Sequence, residues 1–146
     1  MKYEEAQIIA VIEKINCNFK EALLSLYSYA YQGNTDVYSY YLTGHCPSYA
    51  QILYNIFMDA DKIEFYSLRN ERNGIHIATK INEHFYDVCG NIDRKVSQED
   101  SQRFDYNYMG FIQEYYGNND TIDCLLIHQL SEIGTKQKIK TFSKSS

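Results

Sequence analysis

Gly74-Ile75-His76-Ile77-Ala78-Thr79-Lys80-Ile81-Asn82-Glu83-His84-Phe85-Tyr86-Asp87-Val88 is the stretch on which the fold turns. Isoleucines alternate with small or polar residues from Ile75 to Ile81, and a second short run, rich in aromatic and β-branched residues, spans 84–88. Two such runs around Asn82-Glu83 predict a β-hairpin with a tight turn. Ile81 then pairs with His84, and counting back sets Ala78 opposite Asp87 and His76 opposite Cys89. Side chains alternate between the faces of a strand. His76, Ala78 and Lys80 therefore share one face with Phe85, Asp87 and Cys89, while Ile75, Ile77 and Ile81 take the other. His76 and Asp87 become diagonal neighbours, about 7 Å apart at the backbone and within side-chain reach.

Upstream of the hairpin, the chain predicts a helix over 47–58. Pro47 suits the first turn, where its missing N–H would be unpaired anyway. Tyr49, Ala50, Leu53, Tyr54 and Phe57 give it a buried face, and residues 63–68 follow as a strand. Apolar residues at helical spacing predict a first helix over 4–16, an interruption at residues 16–18, and a second helix over 20–31 closed by Gly33-Asn34. The Tyr-rich segment 35–43 is ambiguous. Residues 91–103 are polar and begin as a loop, and 105–119 is an aromatic, glycine-punctuated stretch without assignment. Asp120 suits the N-cap of a last helix that ends at Ile133 with Gly134 behind it. These readings give an α+β domain over 1–134, with helices flanking a small antiparallel sheet, and a polar, lysine-containing tail over 135–146.

Composition narrows the function. The 146 residues carry a formal net charge of −5, which argues against a protein built to hold nucleic-acid phosphates. No apolar run approaches the roughly 20 residues of a membrane span, and the N-terminus does not read as a signal peptide. A cytoplasmic protein is expected, with Cys17, Cys46, Cys89 and Cys124 reduced. There is no C-x-x-C pair, no Walker A loop and no G-x-G-x-x-G. A metal site drawn from His45, Cys46, His76, His84 and Cys89 matches no zinc spacing. No cofactor or metal is expected. Fifteen tyrosines and no tryptophan fit either amphipathic core and rim or a binding surface.

The chemistry concentrates in three residues. Cys46 stands in Gly44-His45-Cys46-Pro47-Ser48-Tyr49-Ala50, at or near the start of the predicted helix. The helix dipole and unpaired N–H groups there favour a thiolate, and the same N–H groups suit a developing oxyanion. Asp87 is placed to accept one ring proton of His76 and leave the other ring nitrogen for a nucleophile. Each residue also has a plain structural reading. Cys46 is a small buried hydrophobe, His76 an ordinary strand residue and Asp87 the start of a turn toward Gly90. His84 falls on the other face from Asp87, His45 reads as a surface loop residue and His128 as a partly exposed helix residue. Cys17 and Cys124 read as helix packing.

Cysteine at a helix start, then histidine in Ile75-His76-Ile77-Ala78, then aspartate in Tyr86-Asp87-Val88-Cys89-Gly90, resembles the papain-like superfamily. The resemblance is to its transglutaminase-like branch and related small bacterial or phage thiol hydrolases, and it covers about a third of the chain. It implies Cys46 as nucleophile, His76 as general base and acid, Asp87 as orienting group, and a helix packed on an antiparallel sheet. It also implies cleavage, deamidation or cross-linking of an amide in a protein or peptide through an acyl-enzyme. Two features of that family are missing: no aromatic residue directly follows Cys46, and no Gln just precedes it to complete an oxyanion hole. Gln32 is distant, and Tyr40 or Tyr41 is left as a substitute donor. Loss of activity is common in this fold, so a second class of reading stands beside the first. In it the chain is a small acidic, tyrosine-rich interaction or inhibitor protein, of phage or mobile-element origin, that blocks a protein partner.

Overall fold

The computed structural model describes residues 1–27, 32–69, 74–105 and 121–145. In these, four α-helices surround one face of a five-stranded antiparallel sheet. The helices are α1 (Glu5–Tyr27), α2 (Val37–Leu42), α3 (Cys46–Phe57) and α4 (Thr121–Ser145). The strands are β1 (Ile63–Arg69), β2 (Ile75–Ile81), β3 (His84–Asp87), β4 (Gly90–Asn91) and β5 (Ser101–Phe104). Across the sheet the order is β4-β3-β2-β1-β5. The α+β class and the helix-on-sheet arrangement are those the sequence predicts.

The central hairpin forms in the expected register, with Ile81 opposite His84 and Thr79 opposite Tyr86. Asn82 has φ +55°, a conformation that Asn tolerates better than most residues, and this fixes the tight turn. The strands then part sooner than expected. β3 ends at Asp87, and Val88 and Cys89 form the turn into β4, where Asp87 pairs with Gly90. Cys89 is therefore an exposed turn residue and does not stand opposite His76.

Alternation along β2 separates two layers. Ile77, Thr79 and Ile81 face α3, where Thr79 Oγ1 donates to the Ala50 carbonyl at 3.0 Å. Ile81 and Tyr86 join Tyr49, Ile52, Leu53, Ile56 and Phe57 in the main core. Cys46, Ala50, Phe65 and Ile77 form a smaller cluster beside it. On the opposite face, Leu68, Ala78 and Ile92 pack with Tyr66, Phe85 and Val96, and Lys80 Nζ stands over both the Tyr66 and Phe85 rings.

Several expected boundaries are corrected. α1 is one continuous helix, not two. Its buried residues Ile8, Val11, Ile12, Ile15, Phe19, Ala22 and Leu23 keep a single stripe through 16–18, so no change of phase calls for a break. Asn18 returns its amide to the Lys14 carbonyl and Asn16 sends its side chain elsewhere. The expected extension to residue 31 lies outside the described residues. The ambiguous segment after Asn34 becomes α2, capped by Asp36, whose carboxylate accepts from Ser39 N at 2.9 Å. α3 starts one residue early, with His45 at the N-cap and Cys46 already helical. The polar region 91–103 contains β4, two 3-10 turns and β5. These strands are too short for an alternating pattern to show.

The last helix does not end at Gly134. α4 continues through Ser145, so the expected tail 135–146 is helical in its described part. Gly134 is an interhelical contact rather than a stop signal. A Cβ there would lie 2.2 Å from Ile56 Cδ1 and 3.3 Å from Ile15 Cδ1. The proposed Asp120 cap and the aromatic residues Tyr106, Tyr108, Tyr115 and Tyr116 lie outside the described residues.

Candidate active site

Residues far apart in sequence meet where β3 leaves β2. With Ile81 and His84 as the pair that closes the hairpin, the N–H groups of Ile81, Thr79 and Ile77 all point toward the β3 side. The ladder stops at Thr79, which leaves the Ile77 N–H without a strand partner. It donates instead to Cys46 Sγ at 3.4 Å. The helix start thus fills the place that a longer β3 would occupy. Gly44, at φ +93°, turns the chain from α2 into α3 and sets Cys46 there.

His76 and Asp87 stand on the sheet face away from α3, as the parity predicts. They reach the thiol because no strand closes the gap beyond Thr79. His76 Nε2 and Asp87 Oδ2 are 2.7 Å apart, and the Cys46 thiol is near enough to the ring to favour its charged form. With Nε2 committed to Asp87, Nδ1 is the nitrogen left for the thiol. The other Asp87 oxygen accepts the Cys89 N–H at 2.7 Å, so the turn that ends β3 locks its carboxylate. Asp87 is buried and the His76 side chain is 20% exposed. Burial by itself disfavours a charged imidazole. The pairing with Asp87 and the nearness of Cys46 outweigh it and push His76 up to about 9. His76 is therefore protonated at neutral pH. Burial, and then the charge of Asp87, pushes the neighbouring Cys89 thiol up.

Cys46 is buried, and Cys17, Cys46, Cys89 and Cys124 are all free thiols. Cys17 is exposed rather than packed between helices. As the first helical residue, Cys46 carries a backbone N–H with no intrahelical acceptor. Of the tyrosines named as oxyanion donors, Tyr40 gives its hydroxyl to Asp123 at 3.4 Å. Tyr41 is fully buried against Phe19 and Tyr49, and the Tyr40 ring stacks on His45 at 4.2 Å. Tyr49 and Tyr86 are likewise buried.

The other histidines are held apart from this centre. His84 Nδ1 lies 2.6 Å from Asp93 Oδ2, and His128, highly exposed, lies 3.6 Å from Glu132. His45 is not a free loop residue, because its ring lies 3.6 Å from Asp123, on α4. Asp123 is buried and also receives the Ser48 hydroxyl and, at 3.4 Å, the Tyr40 hydroxyl. Sequence reading missed this carboxylate. It looked like an ordinary first-turn acid of a helix, and its partners lie 75 residues away or more. Among the described residues, no three His, Cys, Asp or Glu side chains converge as metal ligands. Among the same residues, no helix is long and apolar enough to cross a membrane.

Neither a curated protein nor a solved structure matches this chain. Residues 23–123 match the family described as Phage YunG-like protein. That span takes in Cys46, His76, Asp87 and Asp123 and covers well over half of the sequence, and on it the chain belongs to the phage YunG-like protein family.

Proposed function

We propose that this protein is a thiol-dependent hydrolase or acyltransferase acting on an amide of a protein or peptide, with Cys46, His76 and Asp87 as its catalytic residues. The observation that carries this reading is the 2.7 Å pair of His76 and Asp87 with the Cys46 thiol beside the imidazole at a helix start. The attacking group is the Cys46 sulfur, with the proton held by His76. The sulfur forms a bond to the amide carbonyl carbon while the carbonyl π electrons move to oxygen. The oxyanion lies at the α3 N-terminus, where the Cys46 N–H is available. Collapse breaks the C–N bond, His76 gives its proton to the leaving amine, and a thioester remains. Water or a second amine then attacks the thioester. His76 takes the proton of that nucleophile, and the thiolate leaves. Asp87 keeps the imidazole in register throughout. This scheme is that of the papain-like and transglutaminase-like enzymes the sequence resembles.

The test is the pH dependence of iodoacetamide alkylation at Cys46, resolved by mass spectrometry, with His76→Ala beside the wild type. Rapid labelling below pH 7 that collapses in the variant is the expected result. Labelling no faster than at Cys17 or Cys124, and indifferent to His76, would overturn the reading. A non-catalytic interaction protein would then be the better description.

A further inference from the structure

A second set of hydrogen bonds runs behind the site and closes on itself. Asn16, in the middle of α1, donates from Nδ2 to the Val88 carbonyl at 2.9 Å, and its Oδ1 accepts the Tyr49 hydroxyl at 2.8 Å. The orientation of the amide is fixed, since a carbonyl can only accept and must face the NH2 group. Val88 lies between Asp87, which holds His76, and Cys89, whose N–H holds Asp87. Tyr49 lies three residues beyond Cys46 on the same helix. Burial, and then the nearby negative charge of Asp87, pushes the Tyr49 phenol well above its ordinary value, so the hydroxyl is present to donate.

We infer that Asn16 is a positioning residue for the thiol site: its amide ties the Asp87-Val88-Cys89 turn to the helix that carries Cys46. The inference rests on the catalytic reading above and extends it to a residue outside the family-matched span. The turn needs such a tie. β4 offers only two residues, and β3 has already left β2 at this point. The other ties at the start of α3, from the Ile77 N–H to Cys46 Sγ and from Thr79 Oγ1 to the Ala50 carbonyl, reach β2, whereas the Asn16 amide reaches the Asp87-Val88-Cys89 turn itself. With it, Cys46, His76, Asp87, Val88, Asn16 and Tyr49 form a closed ring. Asparagine costs helix stability at an interior position. Here it stands where an apolar residue would extend the buried stripe between Ile12, Ile15 and Phe19.

The test compares Asn16→Leu and Tyr49→Phe with wild type and with His76→Ala. Two readouts are taken on folded protein: the Cys46 alkylation rate near pH 7, and the His76 titration midpoint from its ring NMR shifts. Asn16→Leu is expected to slow alkylation by about tenfold, the lower range for removal of groups that orient a reactive ligand, and to lower the His76 midpoint. Tyr49→Phe should act in the same direction, and the double variant should be no worse than Asn16→Leu alone. A merely structural amide would lower the melting temperature and leave the His76 midpoint in place. Should Asn16→Leu fail to fold, Tyr49→Phe, which keeps its ring in the core, carries the same two measurements. A wild-type midpoint and rate in the folded variants would overturn the inference while His76→Ala still slows alkylation. Should His76→Ala leave alkylation unchanged, the catalytic reading fails, and the His76 midpoint alone still decides whether Asn16 positions that ring.

Discussion

His76 links the site to stability. Its folded value is about 9, against 6.5 for the free side chain, so between those limits the folded protein binds a proton that the unfolded chain has released. The stabilisation is fully present below pH 6.5 and is lost as pH rises through about 9. The loss amounts to at most about 3 kcal/mol, since tenfold in proton affinity is worth about 1.4 kcal/mol. Urea unfolding between pH 6 and 9.5 should show this fall in the wild type and a flatter curve in His76→Gln. The comparison must be a difference between the two proteins, because Cys89 also titrates higher in the folded state and lowers stability with rising pH in both. Curves that run parallel would mean that His76 is not paired in solution. The choice of His76 and Asp87 was legible in the sequence because strand parity depends only on counting residues from a tight turn. The placement of Cys89 was missed because the strand parity was carried past Asp87, although the other reading of that residue, as the start of a turn toward Gly90, is the one that the Val88-Cys89 turn follows.

Glycine illustrates the same limit for whole elements. Gly134 carries two opposite meanings, helix stop and close approach, and only the neighbouring helices separate them. α1, α3 and α4 meet there, and the Ile56 side chain occupies the space a methyl group would need. Gly134→Ala gains about 1 kcal/mol of helix propensity but forces Ile56, a fully buried residue, out of its position, at about 1–3 kcal/mol for an overpacked core. The net expectation is destabilisation by about 1 kcal/mol in urea melts. Ile56→Val removes the Cδ1 atom that the methyl group strikes and leaves the 3.0 Å approach of Cγ1, so Gly134→Ala should cost less in that background than in the wild type. Destabilisation of equal size in both backgrounds would locate the cost outside the Ile56 contact. Asn16 misled in a similar way. A run of Asn16-Cys17-Asn18 reads locally as a break, yet the apolar stripe to either side is in phase, and that longer-range regularity is what α1 obeys.

For the molecule as a whole, α4 grips α3 at both ends. At the N-terminus of α3, buried Asp123 receives the Ser48 hydroxyl and faces His45. At the other end, Lys138 Nζ donates to the Ile56 carbonyl at 2.7 Å, lies 3.4 Å from Asp59 and stands over the Tyr3 ring. An acid at the positive end and a base at the negative end of α3 both act with its dipole. The Ile56 carbonyl is one of the last four in α3, which have no acceptor role within the helix. The helix that carries Cys46 is thus fixed from outside along its length, which a site requiring a set thiol–imidazole geometry needs. The lysines beyond Thr135 look in sequence like a solvated tail, because a polar stripe with one half-buried lysine has no apolar period. Removing residues 135–146 should therefore lower stability by about 2 kcal/mol. That figure combines one charge-assisted hydrogen bond with the loss of cation–π contact and packing around Lys138. Lys138→Met, which keeps the apolar stem and removes the charge, should account for the larger share. A truncated chain that unfolds at the same urea concentration as the full one would return this segment to the status of a tail, and α4 would then hold α3 through Asp123, Ser131, its core leucines and the Gly134 contact.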